Sequence, residues 1–250
     1  MTQSGHWVNT LAVLLHTALH GFFRVPLDKE TEMSGDFTTR EEVLDAYEKH
    51  AWIYDFAVYC CYLLGFPIGK YRRLVLEILQ PQLGDTIIEI GCGTGMNFAL
   101  LQERIGKEGK IIGVDISQAM LDLAEKRIRS EGWKNVELVR SSAAEYRFPE
   151  VVDGIIATGV LTYEPDYDRV IENGAKALAP GKRWVVFDYK MPTGWFRHLV
   201  PVFVWIFRSF GISRALFDRT PWQSIQHHLK NPRLKEFYFG LIFIGSGEAP

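Results

Sequence analysis

A short apolar strand that runs into a glycine-rich turn and then into a helical pattern constrains this chain most. Segment 86–96 reads TIIEIGCGTGM, so β-favouring residues lead to Glu89 and then to Gly91, Gly93 and Gly95. Glycine lacks a Cβ, so the backbone of such a loop can turn sharply and lie against a ligand. The segment therefore predicts the strand–turn–helix opening of a nucleotide-binding α/β fold.

The spacing within this loop indicates the kind of ligand. A dinucleotide-binding fingerprint has its third glycine at the sixth place of the motif, where this chain has Met96. The Glu89 carboxylate opposes a pyrophosphate and suits a cation. S-adenosylmethionine carries an ammonium and a sulfonium and has no phosphate, so the loop favours it. On the loop alone, a nicotinamide site or a turn without function remain the alternatives.

A second acidic residue supports the same ligand. Segment 110–115 reads KIIGVD, and its terminal Asp115 lies 20 residues after Gly95. A carboxylate at this spacing, at the tip of the second strand, accepts hydrogen bonds from the hydroxyls of a ribose. Glycine loop, acid and spacing together predict an S-adenosylmethionine site.

At segments 88–95 (IEIGCGTG) and 113–120 (GVDISQAM), the sequence resembles the class I S-adenosylmethionine-dependent methyltransferases. The resemblance runs from about residue 47 to the C-terminus and is closest to the branch of quinone C-methyltransferases and bacterial phospholipid N-methyltransferases. It implies an α/β, Rossmann-like fold with a seven-stranded, mostly parallel sheet whose last strand is antiparallel. It also implies a methyltransferase that uses S-adenosylmethionine.

The resemblance extends the list of candidate cofactor contacts. Segment 141–143 reads Ser-Ser-Ala where the family usually has Gly-Asp-Ala, so either the Ser142 hydroxyl or the Ala143 backbone is expected at the adenine. Tyr54 lies in a segment similar to the family's tyrosine-rich helix, and either closes the methionine end of the site or is a core contact. Cys92 is interpreted as a small spacer in the loop. The predicted cofactor-binding residues are Tyr54, Glu89, Gly91, Cys92, Gly93, Gly95, Asp115, Ile116, Met120, Ser142, Ala143 and Thr158.

Turn residues and hydrophobic periodicity place further elements along the chain. Thr158 ends a predicted strand and is expected on the floor of the site, because ligands of open α/β sheets bind at the carboxyl ends of the strands. Ser117 is expected to cap a helix. The other expected elements are a helix over 70–80, strands over 135–140, 152–158 and 183–189, helices opened by Pro165 and Pro221, and closing strands over 233–239 and 241–247.

Two units are predicted: an N-terminal amphipathic helix with a linker (1–38) and the methyltransferase domain (39–250). Segment 7–23 is apolar apart from a face with Asn9, His16 and His20. It has three interpretations: a helix packed on the domain, an interfacial helix, or a membrane span. A signal peptide is not expected, because no positively charged region leads the segment.

Segment 195–217 is the second unusual stretch, since it is rich in Phe, Trp, Val and Ile but interrupted by arginines. From 190 to 235 there are eight basic residues and Asp218 as the single acid. Such a surface suits an anionic membrane face, while a lid packed on the sheet is the alternative. The expected localisation is cytoplasmic, with peripheral membrane contact under the first interpretation.

Composition argues against several classes of protein. A formal net charge of −2 argues against a general nucleic-acid binder, and the three cysteines form no CxxC pair or zinc motif.

No catalytic base has a sequence signature. The predicted acceptor is an apolar or amphipathic small molecule, either a phospholipid head-group amine or a quinone-like lipid. A soluble natural product as acceptor and a non-catalytic cofactor-binding protein are the alternatives, and the oligomeric state stays open. The residues considered as a base by position are Tyr163, Tyr189, His198, His227 and His228.

Overall fold

The computed structural model describes residues 67–207 and 212–250. The predicted unit 1–38 with its segment 7–23, the boundary at residue 39, and Tyr54 lie outside the described residues, as does Arg208. The predictions made for them stay predictions.

One sheet organises the described chain. Its strands are β1 (Thr86–Ile90), β2 (Lys110–Asp115), β3 (Val136–Arg140), β4 (Val152–Thr158), β5 (Leu178–Tyr189), β6 (Lys230–Phe237) and β7 (Ile242–Glu248). The spatial order is β3-β2-β1-β4-β5-β7-β6. Strands β1 to β5 pair in parallel, and β7 is antiparallel to both β5 and β6. The predicted mostly parallel sheet with an antiparallel last strand is confirmed.

Helices cover both faces of this sheet. They are α1 (Ile68–Leu79), α2 (Phe98–Ile105), α3 (Gln118–Glu131), α4 (Tyr167–Ala177), α5 (Val200–Phe207) and α6 (Pro221–His228), with 3₁₀ turns at Gly194–Leu199, Arg214–Phe217 and Tyr238–Gly240. Helices α1, α2 and α3 share one apolar core with the sheet, and α4 and α6 share the other. Because both faces are covered, β1, β2 and β4 are almost continuously buried, as is typical of parallel sheets.

Local sequence signals account for some of the element boundaries. Ser117 caps α3, since its Oγ accepts from the Met120 N–H at 3.3 Å. Pro221 occupies the first turn of α6, where its missing N–H leaves no bond unmade. Strand β4 has the predicted bounds, 152–158.

Several boundaries differ from the prediction; for example, strand β6 begins at Lys230 and not at residue 233. Strand β5 begins at Leu178 because that residue pairs with Val152 before an irregularity in the register. Helix α4 begins at Tyr167 and not at the expected proline two residues earlier. Strand β6 ends at Phe237, because Tyr238 and Phe239 have φ angles of 51° and 57° and turn the chain. Each departure depends on pairing or turn geometry that hydrophobic periodicity does not encode.

Residues 194–207 and 212–220, called the lid segment below, lie at the carboxyl edge of β5. Val200, Ile212, Leu216 and Phe217 of this segment are buried together. Among the described residues, no helix has the length and apolar character needed to cross a membrane.

Candidate active site

The site lies at the carboxyl ends of β1 and β4, where the strand order reverses and open α/β sheets bind ligands. Glu89 from β1 and Thr158 from β4 meet here through Asn97, which precedes α2. The Asn97 amide nitrogen donates to Glu89 Oε1 at 2.5 Å and to Thr158 Oγ1 at 3.2 Å. Asn97, which is 1% exposed, was not selected from the sequence; its position just after the glycine loop was the available signal.

Glu89 is an incompletely paired carboxylate. It is 1% exposed, and burial raises its pKa to about 7, although the bond from Asn97 and the charge of Arg72 oppose this shift. Within the described part of the chain, its Oε2 has no hydrogen-bond partner. A buried, unpaired carboxylate oxygen is costly unless a donor reaches it. The site therefore offers one acceptor to a cationic donor.

Helix α1 begins beside the Glu89 carboxylate and contributes a positive charge. Arg72 Nη1 donates to Asn97 Oδ1 at 3.3 Å. Tyr71, one residue earlier, stacks on Phe187 near the end of β5 with ring centroids 5.7 Å apart. The described chain thus starts at the same edge of the sheet as the site.

The glycine loop needs its glycines for space as well as for backbone angles. Gly91 has φ +66°, and a Cβ there would lie 2.6 Å from Val160 of the turn after β4. Gly95 has φ +73°, and a Cβ there would meet the Phe98 ring at 2.6 Å. Cys92 is buried with the core on the α1–α3 side of the sheet. The Cys92 side chain therefore serves packing. Its backbone is also engaged, because the Cys92 N–H donates to the Val114 carbonyl at 3.0 Å and the Cys92 carbonyl accepts from the Gly95 N–H at 3.0 Å.

Asp115 ends β2 and ties it to the glycine loop. Its Oδ2 accepts from the Gly93 N–H at 2.8 Å and its Oδ1 accepts from the Ser117 N–H at 2.9 Å. Burial raises its pKa, and these backbone bonds oppose the rise. Each carboxylate oxygen can accept more than one hydrogen bond, so capacity for a ribose remains.

Ser142 is 4% exposed and already engaged. Its Oγ donates to Glu145 Oε2 at 2.9 Å and accepts from the Glu145 N–H at 3.3 Å. Ser142 thus closes the turn that follows β3, with the partly buried Ala143 beside it. Ile116 is also partly buried, and Met120 is 2% exposed in the first turn of α3.

The lid segment forms an aromatic cluster next to the turn after β4. Its buried residues pack against Tyr163, Tyr189 and Phe203, among others. Tyr189 lies 6.2 Å from Phe203 and 6.4 Å from Phe217, measured between ring centroids. We call the buried residues of the lid segment and their partners the lid cluster. Its members are Tyr163, Tyr189, Met191, Val200, Phe203, Val204, Ile212, Leu216, Phe217 and Leu241.

The candidate bases divide by position. Tyr163 and Tyr189 belong to the lid cluster. His228 is bonded to Asp168 of α4 at 3.0 Å. His198 and His227 are exposed. In the described ranges, no group of three or more metal-ligating side chains comes together.

This strand order, with a glycine loop between two carboxylates at the switch point, is the arrangement of the class I S-adenosylmethionine-dependent methyltransferases, which the chain resembles. It is an enzyme that uses S-adenosylmethionine. Residues 87–181 match the family described as "Methyltransferase domain".

Relatives and solved structures agree with this assignment. The demethylmenaquinone methyltransferase of Listeria welshimeri is 29% identical over 177 residues, covering 66% of this chain and 74% of the Listeria protein. A SAM dependent methyltransferase from Aquifex aeolicus superposes with a TM-score of 0.51 at 19% identity, over 72% of this chain and 89% of that one. Phosphoethanolamine N-methyltransferase 2 of Haemonchus contortus, in complex with S-adenosyl-L-methionine, gives 0.57 at 15% identity, over 72% of this chain and 52% of that one. These two structures support the fold.

Proposed function

We propose that the enzyme methylates a ring carbon of a demethylmenaquinone-like acceptor, a prenylated naphthoquinol, at a membrane surface. One observation carries this proposal: an aromatic lid cluster with an exposed apolar rim lies at the same sheet edge as Glu89. The Listeria relative, a demethylmenaquinone methyltransferase, supports the acceptor class. A quinone-like lipid needs apolar, aromatic surroundings, and the lid cluster supplies them.

The cofactor contacts are proposed from the polar groups of the site. The free Oε2 of Glu89 and the adjacent Asn97 suit the ammonium of the methionine portion. Asp115 holds the ribose, and the turn at Ser142 and Ala143 holds the adenine. The remaining proposed contacts are Tyr54, Gly91, Cys92, Gly93, Gly95, Ile116, Met120 and Thr158.

Tyr54 is proposed to close the methionine end. The support is positional, since α1 starts at the site edge and Tyr54 precedes it in the chain.

Bound S-adenosylmethionine supplies an electrophilic methyl group on a sulfonium. The methyl group would pass from this sulfur to the acceptor's ring carbon and leave S-adenosylhomocysteine, and the proton displaced from the ring carbon would end in solvent. For this step the chain mainly aligns the two partners and excludes water, an effect that contributes several kcal/mol to roughly 10 kcal/mol. The lid cluster suits both tasks, because its side chains are largely apolar and lie beside the turn after β4.

Membrane contact is proposed through a set of exposed apolar side chains, called the apolar rim: Trp195, Leu199, Val202, Trp205 and Phe239. Phe196 stacks between Trp195 and Phe239, with centroid distances of 4.3 Å and 3.5 Å. The basic residues between 190 and 235 favour an anionic membrane less than the sequence suggests. Lys190 pairs with Glu236, and Arg219 donates to the Thr162 carbonyl. Arg197 and Arg214 are exposed and available to an anionic surface.

Labelled methyl donor tests the acceptor. The protein is incubated with vesicles holding a reduced 2-polyprenyl-1,4-naphthoquinone without a ring methyl, with phosphatidylethanolamine vesicles, and with the soluble naphthoquinol that lacks the tail. We expect label on the ring carbon of the prenylated compound and much less on its soluble analogue. Label in phosphatidylethanolamine alone would assign a head-group amine instead, and label on none of the three would reject both lipid acceptors.

A further inference from the structure

Thr162 joins three elements through hydrogen bonds at every polar atom it has. It is fully buried (0% exposed) in the turn that follows β4. Its N–H donates to Asp188 Oδ2 at 3.0 Å, and its Oγ1 donates to Asp188 Oδ1 at 2.5 Å. Its carbonyl oxygen accepts from the Arg219 guanidinium. Thr162 is therefore clamped between β5, which carries Asp188, and the end of the lid segment, which carries Arg219.

The same turn lies against the cofactor loop. Val160, two residues before Thr162, occupies the space where a side chain at Gly91 would be. The turn is also fixed to β5, because the Gly159 N–H donates to the Phe187 carbonyl at 2.8 Å. A shift of Thr162 would therefore move Val160 against the glycine loop.

Arg219 connects the turn with the lid segment in a second way. It follows the 3₁₀ turn Arg214–Phe217, whose Leu216 and Phe217 are buried in the lid cluster with Tyr163. The guanidinium is half-buried near the carboxylates of Glu164 and Asp188. Polar and apolar contacts thus reach the turn from the same segment.

We propose that Thr162, Asp188 and Arg219 are positioning residues that couple the cofactor loop to the lid segment. Cofactor bound at the glycine loop holds Val160 in place. Through the hydrogen bonds of Thr162 to Asp188 and Arg219, the lid segment then becomes ordered as well. The part of the site that contacts the acceptor is therefore ordered only after the methyl donor has bound. The inference depends on the methyltransferase activity and not on the identity of the acceptor.

Hydrogen exchange with and without S-adenosylhomocysteine tests the coupling without any acceptor. In the wild type, we expect the amides of residues 212–220 to exchange more slowly when this ligand is bound. Thr162→Val removes the hydroxyl at constant shape, and Arg219→Gln removes the guanidinium. Both variants should lose this protection while the dissociation constant of S-adenosylhomocysteine stays within about threefold. Thr162→Ser keeps a hydroxyl at this position, so it should show the same ligand-dependent protection as the wild type.

Arg104→Gln is the matched control, since Arg104 is an exposed cation at the end of α2. It should keep the ligand-dependent protection. If the protection persists in Arg219→Gln, or if the wild type shows none, the coupling is wrong. If Thr162→Val does not fold, the test rests on whether Arg219→Gln loses the ligand-dependent protection and Thr162→Ser keeps it.

Turnover adds a second readout. With the prenylated naphthoquinol as acceptor, Arg219→Gln should lower kcat about 10- to 100-fold, as small misplacements of reacting groups do, with KM for S-adenosylmethionine unchanged. A higher KM at unchanged kcat would contradict a positioning role. If the wild type does not turn over this acceptor, the proposed acceptor fails, and the exchange experiment still decides the coupling.

Discussion

Folding clearly changes the chemistry of Glu89. Burial holds its pKa at about 7, so a carboxylate that is ionised in water is partly protonated here near neutral pH. An incoming ammonium favours the ionised form. The group therefore links ligand binding to pH.

This linkage gives a prediction for S-adenosylhomocysteine, which keeps the ammonium. Its affinity should increase about tenfold between about pH 6 and pH 8, as Glu89 ionises, and Glu89→Gln should bind more weakly and without this dependence. Isothermal titration at several pH values measures both. A pH-independent affinity in the wild type would place the ammonium elsewhere.

The same carboxyl affects stability in the absence of ligand. Its folded pKa lies above the ordinary value of 4.5, so the folded state binds more protons than the unfolded state. Its contribution to the free energy of unfolding should therefore fall as pH rises from about 4.5 to about 7 and level off above. Urea unfolding of wild type and Glu89→Gln at both ends of this window isolates the effect. A difference between the two proteins that does not change with pH would contradict it.

Asp115 combines a structural bond with its proposed ribose contact. Asp115→Ala removes the tie to the Gly93 N–H and the ribose acceptor together. We expect ligand binding to weaken by roughly 1.5–3 kcal/mol, the range for hydrogen bonds to a charged group. Asp122→Ala, on the exposed face of α3, is the control. Affinity within twofold of wild type in a folded Asp115→Ala protein would show that the ribose is held elsewhere.

Among the secondary-structure elements, α4 approaches the sheet unusually closely. Gly174 lies in the helix interior, and a Cβ there would be 2.2 Å from the Trp184 ring, which is fully buried in β5. The helix can pack at this distance only with glycine. Helix propensity alone would favour alanine by about 1 kcal/mol, so packing and propensity oppose each other here.

Gly174→Ala should therefore destabilise the protein by about 1–2 kcal/mol, because overpacking outweighs the gain in propensity. Gly69→Ala provides the comparison, since Gly69 lies in α1 and no atom of the described residues lies within 4 Å of the place that a Cβ would take there. That change should be neutral or stabilise by up to about 1 kcal/mol. Thermal or urea unfolding compares the two, and a stabilised Gly174→Ala protein would contradict the packing argument.

For the molecule as a whole, the two edges of the sheet differ. The carboxyl edge carries the site and the apolar rim, whereas exposed Val151 precedes β4 at the amino edge. If the rim inserts into a bilayer, the molecule docks with the site facing the lipid. An amphipathic acceptor would then reach the methyl donor without crossing water.

A matched pair of variants tests this orientation. Val202→Asp places a charge in the rim, where burying one apolar side chain contributes about 1.5–3 kcal/mol. We expect it to lower co-sedimentation with anionic vesicles by about tenfold or more, while Val151→Asp leaves it unchanged. Added salt should weaken binding further if Arg197 and Arg214 contribute. Equal losses in both variants, or no vesicle binding by the wild type, would reject the docking surface.

Local patterns predicted the fold class, the strands of the core and the region of the site. A buried strand, glycines with positive φ and an acid at fixed spacing are properties of short segments, so they can be recognised before packing is known. The sequence therefore indicated S-adenosylmethionine correctly, while the position of the cofactor at the carboxyl edge of the sheet stays a prediction. Individual cofactor contacts remain predictions.

Contacts between distant segments could not be predicted in this way. Asn97 meets Thr158, Val160 fills the space beside Gly91, and Arg219 reaches Thr162 only because the sheet brings β1, β4 and β5 side by side. Serine in place of the family's usual acid did not indicate that Ser142 would bond to Glu145. Periodicity and turn residues describe neighbours along the chain, whereas these pairings are decided by which side chains the packed core leaves within hydrogen-bonding distance.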